Sequence, residues 1–165
     1  MERRIIWSPW RYEYIRSIDK KTSCILCELP KKPDGESYIV YRGRHVYVVL
    51  NAYPYNSGHL MIVPYVHKRS IEELGEDVRR ELMEVLVQAV KVLKKALLPD
   101  GINIGINLGR IAGAGIEEHI HIHVVPRWAG DSNFMPVIGG DKSLPISLRE
   151  TYKLLKNVWK NMIGL

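Results

Sequence analysis

The stretch His119-Ile120-His121-Ile122-His123-Val124-Val125-Pro126-Arg127 decides how the rest of this chain is read. Three histidines alternate strictly with branched apolar residues, and alternation is the period of a β-strand. His119, His121 and His123 should therefore leave one face of a sheet while Ile120, Ile122 and Val124 leave the other. The apolar face reads as core. The other face reads as chemistry, because imidazoles roughly 6–7 Å apart along a strand are too polar to keep crowded together without hydrogen-bond partners, a metal or an anion. Pro126-Arg127 is expected to stop the run.

Working outward, INIGINL at 102–108 alternates in the same way and leads through the glycine-rich RIAGAG into the histidines. Upstream, Tyr38–Tyr41 and Val46–Leu50 read as strands joined by a turn at Gly43, and HLMIVP at 59–64 as a third strand ended by Pro64. Between Glu76 and Leu98 the period becomes helical: Val78, Leu82, Val85, Leu86, Ala89, Leu93 and Leu97 form one stripe. Glu76 and Asp77 at the start and Lys94 and Lys95 at the end suit the helix dipole, and Pro99-Asp100-Gly101 stops it. Leu148, Tyr152, Leu155, Trp159 and Met162 mark a final amphipathic helix, while LPKKPDGES at 29–37 reads as flexible. The expected fold is α+β, an antiparallel sheet with one long central helix and a C-terminal helix.

A chain of 165 residues, 46% apolar, is about one domain and can bury a core without staples. The net charge of +6 and pI near 9.3 favour an anionic partner but do not choose among a nucleotide, a nucleic acid and a merely soluble surface. No apolar run approaches the ~18 residues of a membrane span, and the N-terminus lacks the pattern of a secretory signal, so a cytoplasmic location is expected.

Two chemistries suit three alternating histidines. They can ligate a catalytic zinc with an open position. Alternatively a neutral imidazole attacks phosphorus while its neighbours donate to the phosphoryl oxygens. Gly113 and Gly115 just upstream would let backbone N–H groups cradle a phosphate.

The run His-φ-His-φ-His-φ-φ, with φ apolar, resembles the motif of the histidine triad (HIT) superfamily of nucleotide hydrolases and transferases. NAYPYNSGHLMIVP at 51–64 resembles its upstream block, and INIGINLGRIAGAG its substrate strand and loop. WSPWRYEYI at 7–15 and EHIHIHVVPRWAGDSNFMPVIGG at 118–140 most resemble the branch containing diadenosine tetraphosphate (Ap4A) phosphorylases. The resemblance implies a single HIT domain over 1–165, with an N-terminal extension at 1–37, a core at 38–140 and a C-terminal helix at 141–165. It implies an enzyme that cleaves dinucleoside polyphosphates at the α-phosphate, through a nucleotidyl-His121 intermediate resolved by water or phosphate. His123 would hydrogen-bond the phosphate, His59 would support the triad, Asn51 would hold the ribose, and Asn107, Gly113 and Gly115 would approach the phosphates. A homodimer is common in the family.

Aromatic faces at Trp7, Trp10 and Trp128 could stack on a base, and Arg127 could either reach a polyphosphate or tie down its loop. Ala112-Gly113-Ala114-Gly115-Ile116 departs from many relatives in offering no side-chain donor to the phosphate, which leaves hydrolysis and phosphorolysis both open. A phosphoramidate or acyl-adenylate hydrolase, needing the same nucleophile, and a nucleotide- or RNA-binding adaptor remain the alternatives.

Cys24-Ile25-Leu26-Cys27 has metal-knuckle spacing, yet the chain has no other cysteine. Free thiols, a disulfide and half of a metal site are all compatible with it. By resemblance to several HIT proteins and to galactose-1-phosphate uridylyltransferases, the other half is His67 and His119, giving a closed, structural zinc site.

Overall fold

The computed structural model describes residues 23–131 and 144–164. Short helices α1 (Ile25–Glu28) and α2 (Asp34–Ser37) flank a single 3-10 turn at Leu29–Lys31. Strands β1 (Ile39–Arg42), β2 (Val46–Leu50) and β3 (Leu60–Pro64) follow, then the 22-residue helix α3 (Glu76–Leu97), β4 (Gly101–Ile106), β5 (Ile122–Arg127) and helix α4 (Leu148–Ile163). The five strands form one antiparallel sheet in the order β1-β2-β3-β5-β4, so the histidine strand lies inside it between β3 and β4.

Alternation assigns each strand residue to a face. Val46, Val48, Leu50, Leu60, Ile62, Ile122 and Val124 pack with the stripe of α3 and with Leu155 and Trp159 of α4. On the opposite face Ile39, Tyr47, Val49, Met61 and Val63 meet Leu26, Cys24 and Ile25. The fully buried Tyr47 donates its hydroxyl to Leu26 O at 2.6 Å, tying α1 to the sheet. The histidine face is therefore roofed in part by the segment that carries the two cysteines.

Three expectations need correction. Pro126-Arg127 does not stop the run: β5 continues to Arg127, with Pro126 opposite Ile102. The ladder to β3 ends at the Leu60–Val124 pair, so Pro126 has a strand on one side only, where a missing N–H is tolerated. The alternation also outruns the strand, since β5 begins at Ile122; even so Ile120 stays in the core with Ile122 and Val124, so the two faces extend past the ladder. Finally, 29–37 is not an open linker. Asp34 in α2 accepts from Arg42 Nε and Lys156 Nζ, 2.8 and 2.7 Å away, which fixes the segment against β1 and α4.

Candidate active site and metal cluster

Five of the six histidines gather on the side of the sheet away from α3. His59 follows the β2–β3 turn, whose Gly58 takes φ +84° in a space bounded by Leu97, Pro126 and Leu93. The ring of His59 lies 5.1 Å from that of His123, and His123 stands 4.7 Å from His121 in a T-shaped contact. Gly105 pairs with His123 across β4–β5, and nothing lies within 4 Å of where its Cβ would be.

The hydrogen bonds settle which nitrogen of each ring carries the proton. His121 Nδ1 lies 2.8 Å from the carbonyl of His119; a carbonyl only accepts, so Nδ1 holds the proton and Nε2 keeps its lone pair. The backbone N–H of Tyr55 donates to His59 Nδ1 at 3.1 Å, which puts the His59 proton on Nε2. That N–H then donates to His123 Nδ1 at 2.9 Å, leaving His123 with its proton on Nε2. The pair thus presents one lone pair, on His121, and one donor, on His123. Burial holds all three rings neutral. Burial and then the neighbouring His123 and His121 push His59 down to about 3; burial and then His121 push His123 down to about 4. His121 is lowered by burial against the opposing bond to the His119 carbonyl.

His119 faces away from this group. Its Nε2 lies 2.8 Å from Pro64 O and so is protonated, turning the lone pair of Nδ1 toward the cysteines. Cys24 and Cys27 place Sγ at 3.3 and 3.4 Å from that Nδ1, and Cys27 Sγ lies 3.4 Å from His67 Nδ1. The four ligand atoms all lie within 4.8 Å of one another. For Zn–S of about 2.3 Å and Zn–N of about 2.0–2.1 Å, tetrahedral geometry gives an S···N edge of roughly 3.5 Å. The cluster can hold a metal: its spacing and its two soft sulfur donors fit zinc, and it closes with four protein ligands. The cysteines are free thiols, not a disulfide. Burial, then Cys24, pushes the Cys27 thiol up to about 11, so a thiolate there requires a compensating cation.

The remaining expected residues divide. Asn51 is close to the histidines, its Nδ2 3.4 Å from His59 Nδ1, while its Oδ1 accepts from Tyr53 N at 2.9 Å. Asn107 donates to Gly113 O at 3.3 Å and so braces the glycine loop. Gly113 has φ +96°, and the amides of Ala112, Gly113 and Ala114 are bonded to carbonyls of the loop itself. A phosphate would have to draw on amides from Gly115 onward. Trp128 donates its indole N–H to Leu97 O at 3.3 Å, and among the described residues no ring contact joins it to the histidines. Arg127 binds both carboxylate oxygens of Asp131, at 2.6 and 3.0 Å, and ties down its loop. His45 lies in the β1–β2 turn, its N–H donated to Glu81 Oε2 at 2.7 Å. Trp7 and Trp10 lie outside the described residues.

The sequence reading missed Tyr55. Its amide sets the His59 tautomer, and its ring lies 4.7 Å from His59 and 5.9 Å from His123. A main-chain donor has no residue signature, so only the turn-rich NAYPYNSG could have hinted at it.

A family model for the HIT domain matches residues 32–130. The chain belongs to the histidine triad family. It is 43% identical over 162 residues to a protein of Mycobacterium tuberculosis named Ap4A phosphorylase, across 93% of this chain and 83% of that one. Among solved structures, a zinc-bound histidine triad protein from Mycobacterium smegmatis superposes with a TM-score of 0.69 at 24% identity, over 86% of this chain and 96% of that one. A uridylyltransferase superposes with a TM-score of 0.72 at 16% identity, over 93% of this chain and 51% of that one. These two share the fold. The HIT domain here is that of a nucleotide-processing enzyme. No helix among the described residues is long and apolar enough to cross a membrane.

Proposed function

We propose that this HIT enzyme cleaves adenine dinucleoside polyphosphates of the Ap4A kind at the α-phosphate, with His121 as nucleophile. The observation that carries it is the division of protons between the paired rings. His121 Nε2 has a free lone pair because Nδ1–H is bonded to His119 O, while the His59 relay leaves His123 an N–H to offer. In the first step the Nε2 lone pair attacks the α-phosphorus, the P–O bond to the departing phosphate chain breaks, and a nucleotidyl-His121 forms. His123 Nε2–H donates to a phosphoryl oxygen where negative charge builds. Water or inorganic phosphate then attacks the same phosphorus, the P–N bond breaks, and the electron pair returns to His121.

Asn51 would bind the ribose, Gly115 and the residues after it would supply amides to the phosphates, and Asn107 would act by bracing that loop. Cys24, Cys27, His67 and His119 would hold zinc, which supplies rigidity and no chemistry because the set leaves no open position. The exposed Ile104 on the edge strand β4 and Met83 and Val87 on α3 suit a homodimer. The identity to the mycobacterial Ap4A phosphorylase supports the substrate class.

Ap4A incubated with and without inorganic phosphate tests the reaction. ADP plus ATP means phosphorolysis and AMP plus ATP hydrolysis. In denaturing mass spectrometry at alkaline pH, a nucleoside monophosphate adduct should map to His121. His121→Asn should retain nucleotide affinity and lose turnover. Turnover surviving in that variant, or an adduct on His119 or His123, overturns the assignment.

A further inference from the structure

Beyond β5 lies a buried polar knot that neither the triad nor the metal cluster uses. Asp131, whose side chain is 5% exposed, accepts Arg127 Nε and Nη2, the Trp128 amide at 3.2 Å and Asn56 Nδ2 at 2.7 Å. Asn56, 3% exposed, spends its other amide hydrogen on Pro126 O at 3.0 Å. Its main-chain carbonyl accepts the N–H of His59 at 3.1 Å. Asn56 thus joins the end of β5 to the turn carrying Tyr55 and His59. A carboxylate only 5% exposed is costly to bury even beside the half-exposed Arg127 guanidinium, and Leu97 and Pro126 already close over Gly58 in this turn.

We propose that Asn56 and Asp131 are positioning residues that hold His123 in its Nε2–H tautomer, by clamping the Tyr55–His59 turn to the end of β5. The coupling is geometric. The Tyr55 amide meets His59 Nδ1 at 3.1 Å only while the turn between them keeps its shape, and Asn56 is the residue inside that turn. If the amide swings away, His59 Nδ1 keeps only the longer 3.4 Å contact with Asn51 Nδ2, and the hold on its tautomer weakens. His123 is then free to take the Nδ1–H form, which points a lone pair at the phosphate in place of a donor. The clamp acts three hydrogen bonds from the reacting atoms: Asp131 to Asn56, Tyr55 to His59, and His59 to His123. Its value to catalysis rests on reading His123 as the phosphate donor; its effect on the tautomer does not.

Histidine-selective 15N labelling and long-range 1H–15N correlation spectra of the whole protein, taken without substrate, report which nitrogen of each ring is protonated. Wild type should show His123 as Nε2–H and His121 as Nδ1–H. Asp131→Asn keeps the shape but turns a donor toward Arg127 or Asn56. It should give His123 a second, Nδ1–H population, leave His121 unchanged, and lower kcat at least tenfold with KM within twofold. Should that variant fail to fold, Asn56→Asp sets a second carboxylate against Asp131 and should produce the same mixed His123 signal. A folded variant with wild-type tautomers, whatever its melting temperature, overturns the proposal and leaves the knot structural. A shifted tautomer with unchanged kcat retains the clamp and overturns the donor role of His123, so the two failures are told apart.

Discussion

Stability should fall steeply with acid in a window set by two buried imidazoles. His59 is held down to about 3 and His123 to about 4, against about 6.5 for an unhindered imidazole. A base whose folded pKa is depressed stays neutral in the fold while the unfolded chain takes up the proton. Its stabilising contribution is therefore complete above about pH 6.5 and is lost as pH drops from there toward the folded value. In the middle of that window each histidine costs about 1.4 kcal/mol per pH unit, so the pair removes up to roughly 3 kcal/mol per unit. Urea unfolding midpoints at pH 7, 6, 5 and 4.5 measure the slope. His59→Gln deletes one titrating group and should remove about 1.4 kcal/mol per pH unit from the slope, whatever it does to stability at pH 7; carboxylates and the other buried rings common to both proteins cancel in the comparison. A flat wild-type profile between pH 6.5 and 4.5, or an unchanged slope in His59→Gln, would refute the reasoning. The same depressed values place the acid limb of activity below 6.5, since the site keeps its neutral rings as the medium acidifies.

Freshly purified protein should contain close to one zinc per chain by metal analysis. Cys24→Ser should lower the melting temperature and the zinc content together while leaving residual turnover; metal-free wild-type protein with an unchanged melting temperature would dismiss the cluster as a zinc site. Gly58→Ala should destabilise by roughly 2–4 kcal/mol, the sum of strain at positive φ and overpacking. A Cβ at Gly58 would come within 2.4 Å of Leu97 Cδ1 and 3.2 Å of Pro126 Cγ, and calorimetry showing no change would mean that the turn relaxes freely.

Much of the site is legible because it is local. The alternation at 119–124 separates a chemical face from a core face without knowledge of the fold, and Ile120, Ile122 and Val124 do reach the core. The stripe on α3 ends within one residue of its predicted bounds, since charges of the right sign occupy both ends and Pro99 follows. Where the reading failed, distant partners had won. Residues 29–37 look like linker until Lys156, 122 positions from Asp34, closes an ion pair on them.

The sequence alone determined which residues could do chemistry here: three histidines on one face, a fourth after a glycine turn, and two cysteines at knuckle spacing. Side-chain type and period are properties of neighbouring residues, and they survive without a fold. The tertiary structure decided what each imidazole is. His119 gives its lone pair to the cysteines because Nε2–H is bound by Pro64 O, 55 residues away. His123 is an N–H donor because His59, 64 residues away, faces it with a proton. A histidine ring has two nearly equivalent tautomers, and the choice between them belongs to whichever acceptor or donor the folded chain brings to the other nitrogen.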